Sequence, residues 1–310
     1  MVRKIVVTGG AGFIGSNIVN SLCADNDVLI IDNLHTGSMD NVKESIKLGA
    51  KFYKGDAGDI ATTHFDPDLI FHLGMYSSTP MYREDKSLIA RVVGDAINIF
   101  NFASEGKIPV VLASSSSLYN GYQPPHHEGL VPLAKDFYTE ARYAVERLAN
   151  VYSEQHGLNA TALRLFAVYG PHDEKKGKYA NLVTQFMVSI KKGESPVVYG
   201  DGSQTRDFTY VEDVVRAFNM AVGLKGFNVL NVGRGESFTI NEMISKLNEH
   251  LGKDVKAKYI QNPLVNYVDH TEADTTKTEK VLGFRAKYSL DDGIGKLQEF
   301  YDSNNRSPEM

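Results

Sequence analysis

Residues 4–15 read Lys-Ile-Val-Val-Thr-Gly-Gly-Ala-Gly-Phe-Ile-Gly, and Asp32 closes the next apolar run. No other stretch limits the fold as tightly. Residues 5–7 are a short β-branched run, the pattern of a strand buried on both faces. Gly9, Gly12 and Gly15 follow at three-residue spacing. That spacing permits a tight turn and a close approach of backbone N–H groups to a pyrophosphate. A helix is expected from about Phe13, its partly positive N-terminus aimed at the same anion. Residues 28–31 form a second β-branched strand that ends at Asp32, where a carboxylate can accept both hydroxyls of an adenosine ribose. An acid rather than an arginine at 32 repels a 2′-phosphate, so the expected cofactor is NAD and not NADP.

The rest of the chain fits a globular α/β protein. Its 310 residues are enough for one large or two intimate domains. The net charge of −5 gives no electrostatic case for nucleic acid or an anionic membrane surface. The single cysteine, Cys23, excludes an internal disulfide, and its place in the first helix reads as buried packing. No apolar stretch approaches the roughly 20 residues that span a bilayer. The first strand starts at once, leaving no room for a signal peptide, so a cytoplasmic location is expected. The polar tail 302–310 is expected to fray.

Strand-like and helical runs alternate through the first two-thirds. Strands are expected at 51–53, 69–73, 110–113 and 161–165, with helices at 88–103 and 136–155. This alternation predicts a Rossmann-type doubly wound parallel sheet, with ligands at the carboxyl ends of its strands. From about Tyr169 the elements shorten and glycine and proline become denser. Residues 1–168 are thus read as the NAD-binding domain. Residues 169–310 are read as a smaller α/β substrate region, packed with it as one body with interleaved boundaries. The short runs at 196–199 and 228–232 and the helical stretch 239–251 are assigned to the latter.

Taken together, these residues resemble the extended short-chain dehydrogenase/reductases, in particular the nucleotide-sugar 4-epimerase and dehydratase group. The resemblance is carried by Thr8-Gly-Gly-Ala-Gly-Phe-Ile-Gly15, Asp32-Asn-Leu34, Gly55-Asp56, His72-Leu73 and Ser114-Ser-Ser-Ser-Leu-Tyr119. It continues through Tyr138, Tyr169-Gly-Pro171 and Tyr199-Gly-Asp-Gly-Ser-Gln-Thr-Arg-Asp-Phe-Thr-Tyr-Val-Glu-Asp213. It implies cofactor contacts from Gly9, Gly12, Phe13, Ile14, Gly15, Asp32, Asn33, Leu34, Thr36, Gly37, Asp56, Ala57, Leu73 and Gly74, and from Tyr138 and Arg142. Its catalytic set carries over to Ser115, Tyr138 and Arg142, and substrate contacts to Ser115, Asn181, Tyr199 and Arg206. The implied reaction is 4-epimerisation of a nucleotide sugar, a UDP-sugar, through a transient 4-keto sugar, by a homodimer. Other readings remain open: an NAD-binding member with little or no turnover, or a sugar dehydrogenase or reductase with an altered substrate.

The sequence departs from the family pattern around the site. The tyrosine-x-x-x-lysine motif reads Tyr138-Thr-Glu-Ala-Arg142. Arginine keeps a charge that favours a phenolate, but its planar fork is larger and differently directed; the alternative is a solvated helix charge. Ala167 stands in place of an asparagine, as does Arg91, and His72-Leu-Gly-Met75 replaces His-x-Ala-Ala. Pro263-Leu-Val-Asn-Tyr267, around Leu264, lacks the usual diphosphate-binding arginine. Arg206 is the remaining candidate for that role, with a structural pairing to Asp207 or Asp213 as the alternative. Ser116 and Ser117 occupy the positions of the dehydratase Asp-Glu pair, so no acid is available to expel a 6-hydroxyl. His126, His127 and Glu128 have no further ligand at suitable spacing, and no metal is expected.

Overall fold

The computed structural model describes residues 2–263 and 267–303. The first half comprises β1 (Lys4–Thr8), α1 (Phe13–Leu22), β2 (Asp27–Asp32), α2 (Lys43–Lys47), β3 (Lys51–Lys54), β4 (Leu69–His72), α3 (Thr79–Glu84), α4 (Leu88–Gly106), β5 (Val110–Ser115) and α5 (Phe137–His156). Then come β6 (Ala160–Leu165), α6 (Leu182–Lys192), β7 (Val197–Tyr199), β8 (Thr205–Arg206), α7 (Val211–Ala221), β9 (Phe227–Val232), β10 (Phe238–Thr239), α8 (Ile240–Leu251), β11 (Lys258–Ile260), α9 (Thr276–Leu282) and α10 (Leu290–Ser303).

Seven parallel strands form one sheet in the order β3-β2-β1-β4-β5-β6-β9. Helices cover both faces, which is why β1, β4, β5 and β6 are buried almost throughout. The order reverses between β1 and β4, and the crevice beyond their carboxyl ends is where ligands bind in such sheets. A second apolar cluster lies between α6, α8 and α10. It is flanked by the short pairs β10–β8 and β11–β7. Among the described residues, no helix is long and apolar enough to cross a membrane.

The structure differs from the sequence reading at three informative places. Residues 228–232, assigned to the substrate region, belong to β9, the sheet's last strand, paired with β6. Strand β5 runs on to Ser115 because Ser114 and Ser115 continue its ladder with Arg164 and Leu165. Cys23 lies just past the end of α1, buried, with its Sγ 3.3 Å from Ser45 Oγ.

Candidate active site

The glycine loop joins β1 to α1 beneath a cleft of about 480 Å³, well within the usual size of a small-molecule site. Gly9 turns at φ +67°, and a Cβ there would lie 2.7 Å from the Leu73 carbonyl. A Cβ on Gly15 would lie 2.1 Å from the Gly9 oxygen, so only glycine lets α1 abut the loop. Gly12 precedes α1 and offers no side-chain cap, and the first turn holds no acid. The free amides of that turn therefore open on the cleft lined by Gly9, Gly12, Phe13, Ile14 and Gly15.

Asp32 has a task beyond the ribose contact expected of it. Its Oδ2 accepts the Ala11 amide at 2.9 Å and its Oδ1 the Leu34 amide at 2.7 Å. It thereby ties the glycine loop to the end of β2. Burial raises its pKa, and the amides of Leu34, Ala11 and Gly12 work against that rise. Leu34 contributes through its backbone and does not line the cleft. Asn33, Thr36, Gly37, Asp56, Ala57, Leu73 and Gly74 do. Asn33 Nδ2 donates to Asp56 Oδ1 at 2.7 Å, and the Leu73 and Gly74 amides donate to Thr8 Oγ1.

Ser115 and Tyr138 line the same cleft from opposite elements. Ser115 ends β5, its Oγ accepting the Ser117 amide at 3.1 Å. Tyr138 lies in the first turn of α5, whose start is fixed by a reciprocal cap between Asp136 and Thr139. Its ring meets Tyr82 edge-on at 5.6 Å, and the Arg142 guanidinium carbon lies 5.2 Å from its centroid.

Arg142 is buried, not solvated. Nη1 donates to Ala113 O at 3.0 Å and lies 3.0 Å from Met75 Sδ, while Nη2 donates to Tyr76 O at 2.9 Å. Its Nε is buried and has no hydrogen-bond partner. A lysine ammonium cannot serve the Ala113 and Tyr76 carbonyls with the same planar fork. Arg142→Lys is therefore expected to lose about 1–3 kcal/mol, the cost of orphaning a buried acceptor. Urea unfolding checks this, and an unchanged midpoint would refute it.

Tyr138, Arg142 and Glu146 share one face of α5 at four-residue intervals. Glu146 is the third buried anchor, and the sequence reading missed it. Ser114 Oγ donates to its Oε1 at 2.5 Å; Arg164 reaches Oε1 through Nε at 3.0 Å and Oε2 through Nη2 at 2.7 Å. Arg164 Nη1 also donates to the Tyr119 hydroxyl, which donates to Asn231 Oδ1 at 2.7 Å. His126 stacks on Tyr119, and Glu128 accepts the Asn231 amide at 2.8 Å. These two side chains thus secure β9. Among the described residues, no group of three could hold a metal ion.

On the far wall, Asn181 caps α6 by accepting the Val183 amide at 3.0 Å and also faces the cleft. Arg206 lines it too. Its guanidinium is held by the carbonyls of Thr205, Asp269 and Val268, over the Tyr267 ring, and burial lowers its pKa. The acids considered as its partners are engaged elsewhere. Asp207 accepts the amides of Arg234, Gly235 and Ala273, and Asp213 those of Lys287 and Tyr288. Tyr199 does not join the site. It ends β7, outside the cleft lining, with its carbonyl bound by Gln204 Nε2. Ala167 lines the cleft at φ 26°, a positive-φ position at which asparagine is more at home than alanine. Arg91 faces the cleft, hydrogen-bonded to Tyr76. Leu264 lies outside the described residues.

A parallel sheet with an open glycine turn after β1, an acid at the end of β2 and a cleft over their carboxyl ends defines a dinucleotide-binding α/β protein. Residues 5–233 match the NAD dependent epimerase/dehydratase family. The chain belongs to that family, and NAD is its cofactor. A Methanocaldococcus jannaschii protein, provisionally named a UDP-glucose 4-epimerase, is 31% identical over 98% of this chain and 100% of its own. The Thermotoga maritima UDP-glucose 4-epimerase with UDP-glucose superposes at a TM-score of 0.91 with 28% identity, over 98% of this chain and 100% of that one. The Thermus thermophilus UDP-glucose 4-epimerase complex with NAD gives 0.86 and 28%, over 96% and 99%.

Proposed function

We propose that the protein is an NAD-dependent 4-epimerase of UDP-sugars. The observation that carries this reading is the meeting of Ser115, Tyr138 and the glycine loop around one cleft, with the Arg142 cation against the tyrosine ring. Gly9 to Gly15, Asp32 and Arg142 hold the cofactor. When bound, NAD supplies a reversible two-electron acceptor at its nicotinamide. Tyr138, as phenolate, removes the proton of the sugar C4 hydroxyl while Ser115 holds that oxygen by a hydrogen bond. Once C4 has also given up its hydride to that acceptor, the 4-keto sugar turns in the cleft, takes the hydride back on the other face of C4, and recovers its O4 proton from Tyr138. Arg206 and Asn181 meet the diphosphate. The same reading includes a homodimer formed through α4 and α5.

The competing reading is an NAD-binding member without turnover. It draws on Ala167, which puts no amide where the family has one. Incubation of the purified protein with UDP-galactose, and separately with UDP-glucose, decides between them. Interconversion of the two sugars is expected. Absence of turnover from either side, together with no reduced-cofactor absorbance, overturns the epimerase reading.

A further inference from the structure

We infer that Lys176 is a cofactor-binding residue: the cation that neutralises the diphosphate of NAD at the glycine loop. The inference rests on the family's cofactor and on this chain's geometry, and is independent of the sugar chemistry.

Lys176 belongs to the 3-10 segment Asp173–Tyr179, which packs on α1. Its Nζ lies 5.7 Å from the centroid of Phe13, the first residue of α1, and it lines the cleft beside Gly12 and Phe13. Its side chain is only 15% exposed, and its Nζ sits 3.3 Å from Oδ1 of the fully buried Asp173. The second oxygen of Asp173 accepts the Asn181 amide at 2.8 Å. The lysine is thus held over the mouth of the loop and cannot range over the surface.

The other cations facing the cleft have different attachments. Arg142 and Arg206 are fastened to main-chain carbonyls, Arg91 bonds Tyr76, and Arg83 is carried by the last turn of α3. The residues nearest the ribose and adenine end are acids, Asp32, Asp56 and Asp95, all of which face the cleft. A diphosphate on the open amides of α1 therefore meets its nearest side-chain cation in Lys176. The ammonium sits between that anion and Asp173, so bound NAD gains a charge-assisted contact without expelling the lysine's resident partner.

The test is calorimetric titration of cofactor-free protein with NAD, adenosine and UDP as separate probes. It compares wild type, Lys176→Met, Lys176→Arg and Lys175→Met; Lys175 belongs to an outlying pair with Asp40. Thermal melts confirm that each variant is folded. Lys176→Met is expected to weaken NAD binding about tenfold to a hundredfold and to flatten its salt dependence. Adenosine binding should not change, arginine should restore most of the loss, and Lys175→Met should bind as wild type. NAD affinity equal to wild type in Lys176→Met overturns the proposal. So does an equal loss for adenosine, which would indicate damage to the loop. A loss confined to UDP also overturns it, since the lysine would then serve the substrate's diphosphate.

Discussion

Replacement of Tyr138 by phenylalanine is expected to cut the epimerisation rate by about 10²- to 10⁴-fold, the usual worth of a positioned acid–base group. The fold around the ring should survive. The edge contact with Tyr82 at 5.6 Å and the Arg142 guanidinium at 5.2 Å both engage the ring, not the hydroxyl. The glycine loop and Asp32 are untouched, so NAD affinity should fall by no more than a few-fold. Steady-state rates with UDP-galactose, beside an NAD titration of the same preparation, separate the two quantities. A variant that keeps more than about a tenth of the rate would remove Tyr138 from the chemistry.

Glu146→Ala is expected to cost about 3–5 kcal/mol of stability, the penalty for breaking a buried ion pair from one side. Arg164, with its side chain 4% exposed, would keep its charge and lose its carboxylate. Ser114 would lose its acceptor as well. Replacing the pair together, Glu146→Leu with Arg164→Met, should recover most of that loss, because well-packed apolar residues often match a buried pair. The rate need not recover with it. Glu146 fastens α5 to β5 through Ser114 and to β6 through Arg164, and thereby sets the rotation of the helix that carries Tyr138. The double variant is expected to unfold near the wild-type urea concentration yet turn over slowly. A single Glu146→Ala variant within about 0.5 kcal/mol of wild type, the range of ordinary surface changes, would refute this account.

The parts legible in the sequence were those specified by neighbours along the chain. The glycine turn, Asp32 at its strand end and the helix α5 each depend on a few consecutive residues, and these elements lie where they were expected. Ser115 and Tyr138 reach one cleft as the family resemblance implied. Contacts made across the fold were not legible. That Arg142 would be buried rather than solvated depends on the carbonyls of Tyr76 and Ala113, which no spacing rule brings to it. The partner of Glu146 on β6 could not be read from α5. Lys176 is set over Phe13 only by the packing of its segment on α1. Tyr199 shows the opposite failure: a motif match says nothing about which way a strand end faces. Residues 228–232 were misassigned because a short apolar run does not state which sheet it will extend.

The return of β9 to the main sheet also bears on how the chain can be taken apart. The polypeptide leaves the sheet after β6, comes back as α7 and β9, and leaves again toward β10. The far wall of the cleft is therefore stitched to the cofactor half at several strand ends and does not hang from one linker. A fragment cut after residue 168 would expose the flank of β6 as a bare template for another chain's strand. The substrate wall is thus no exchangeable cassette, and grafting a new specificity onto this scaffold means changing side chains in place.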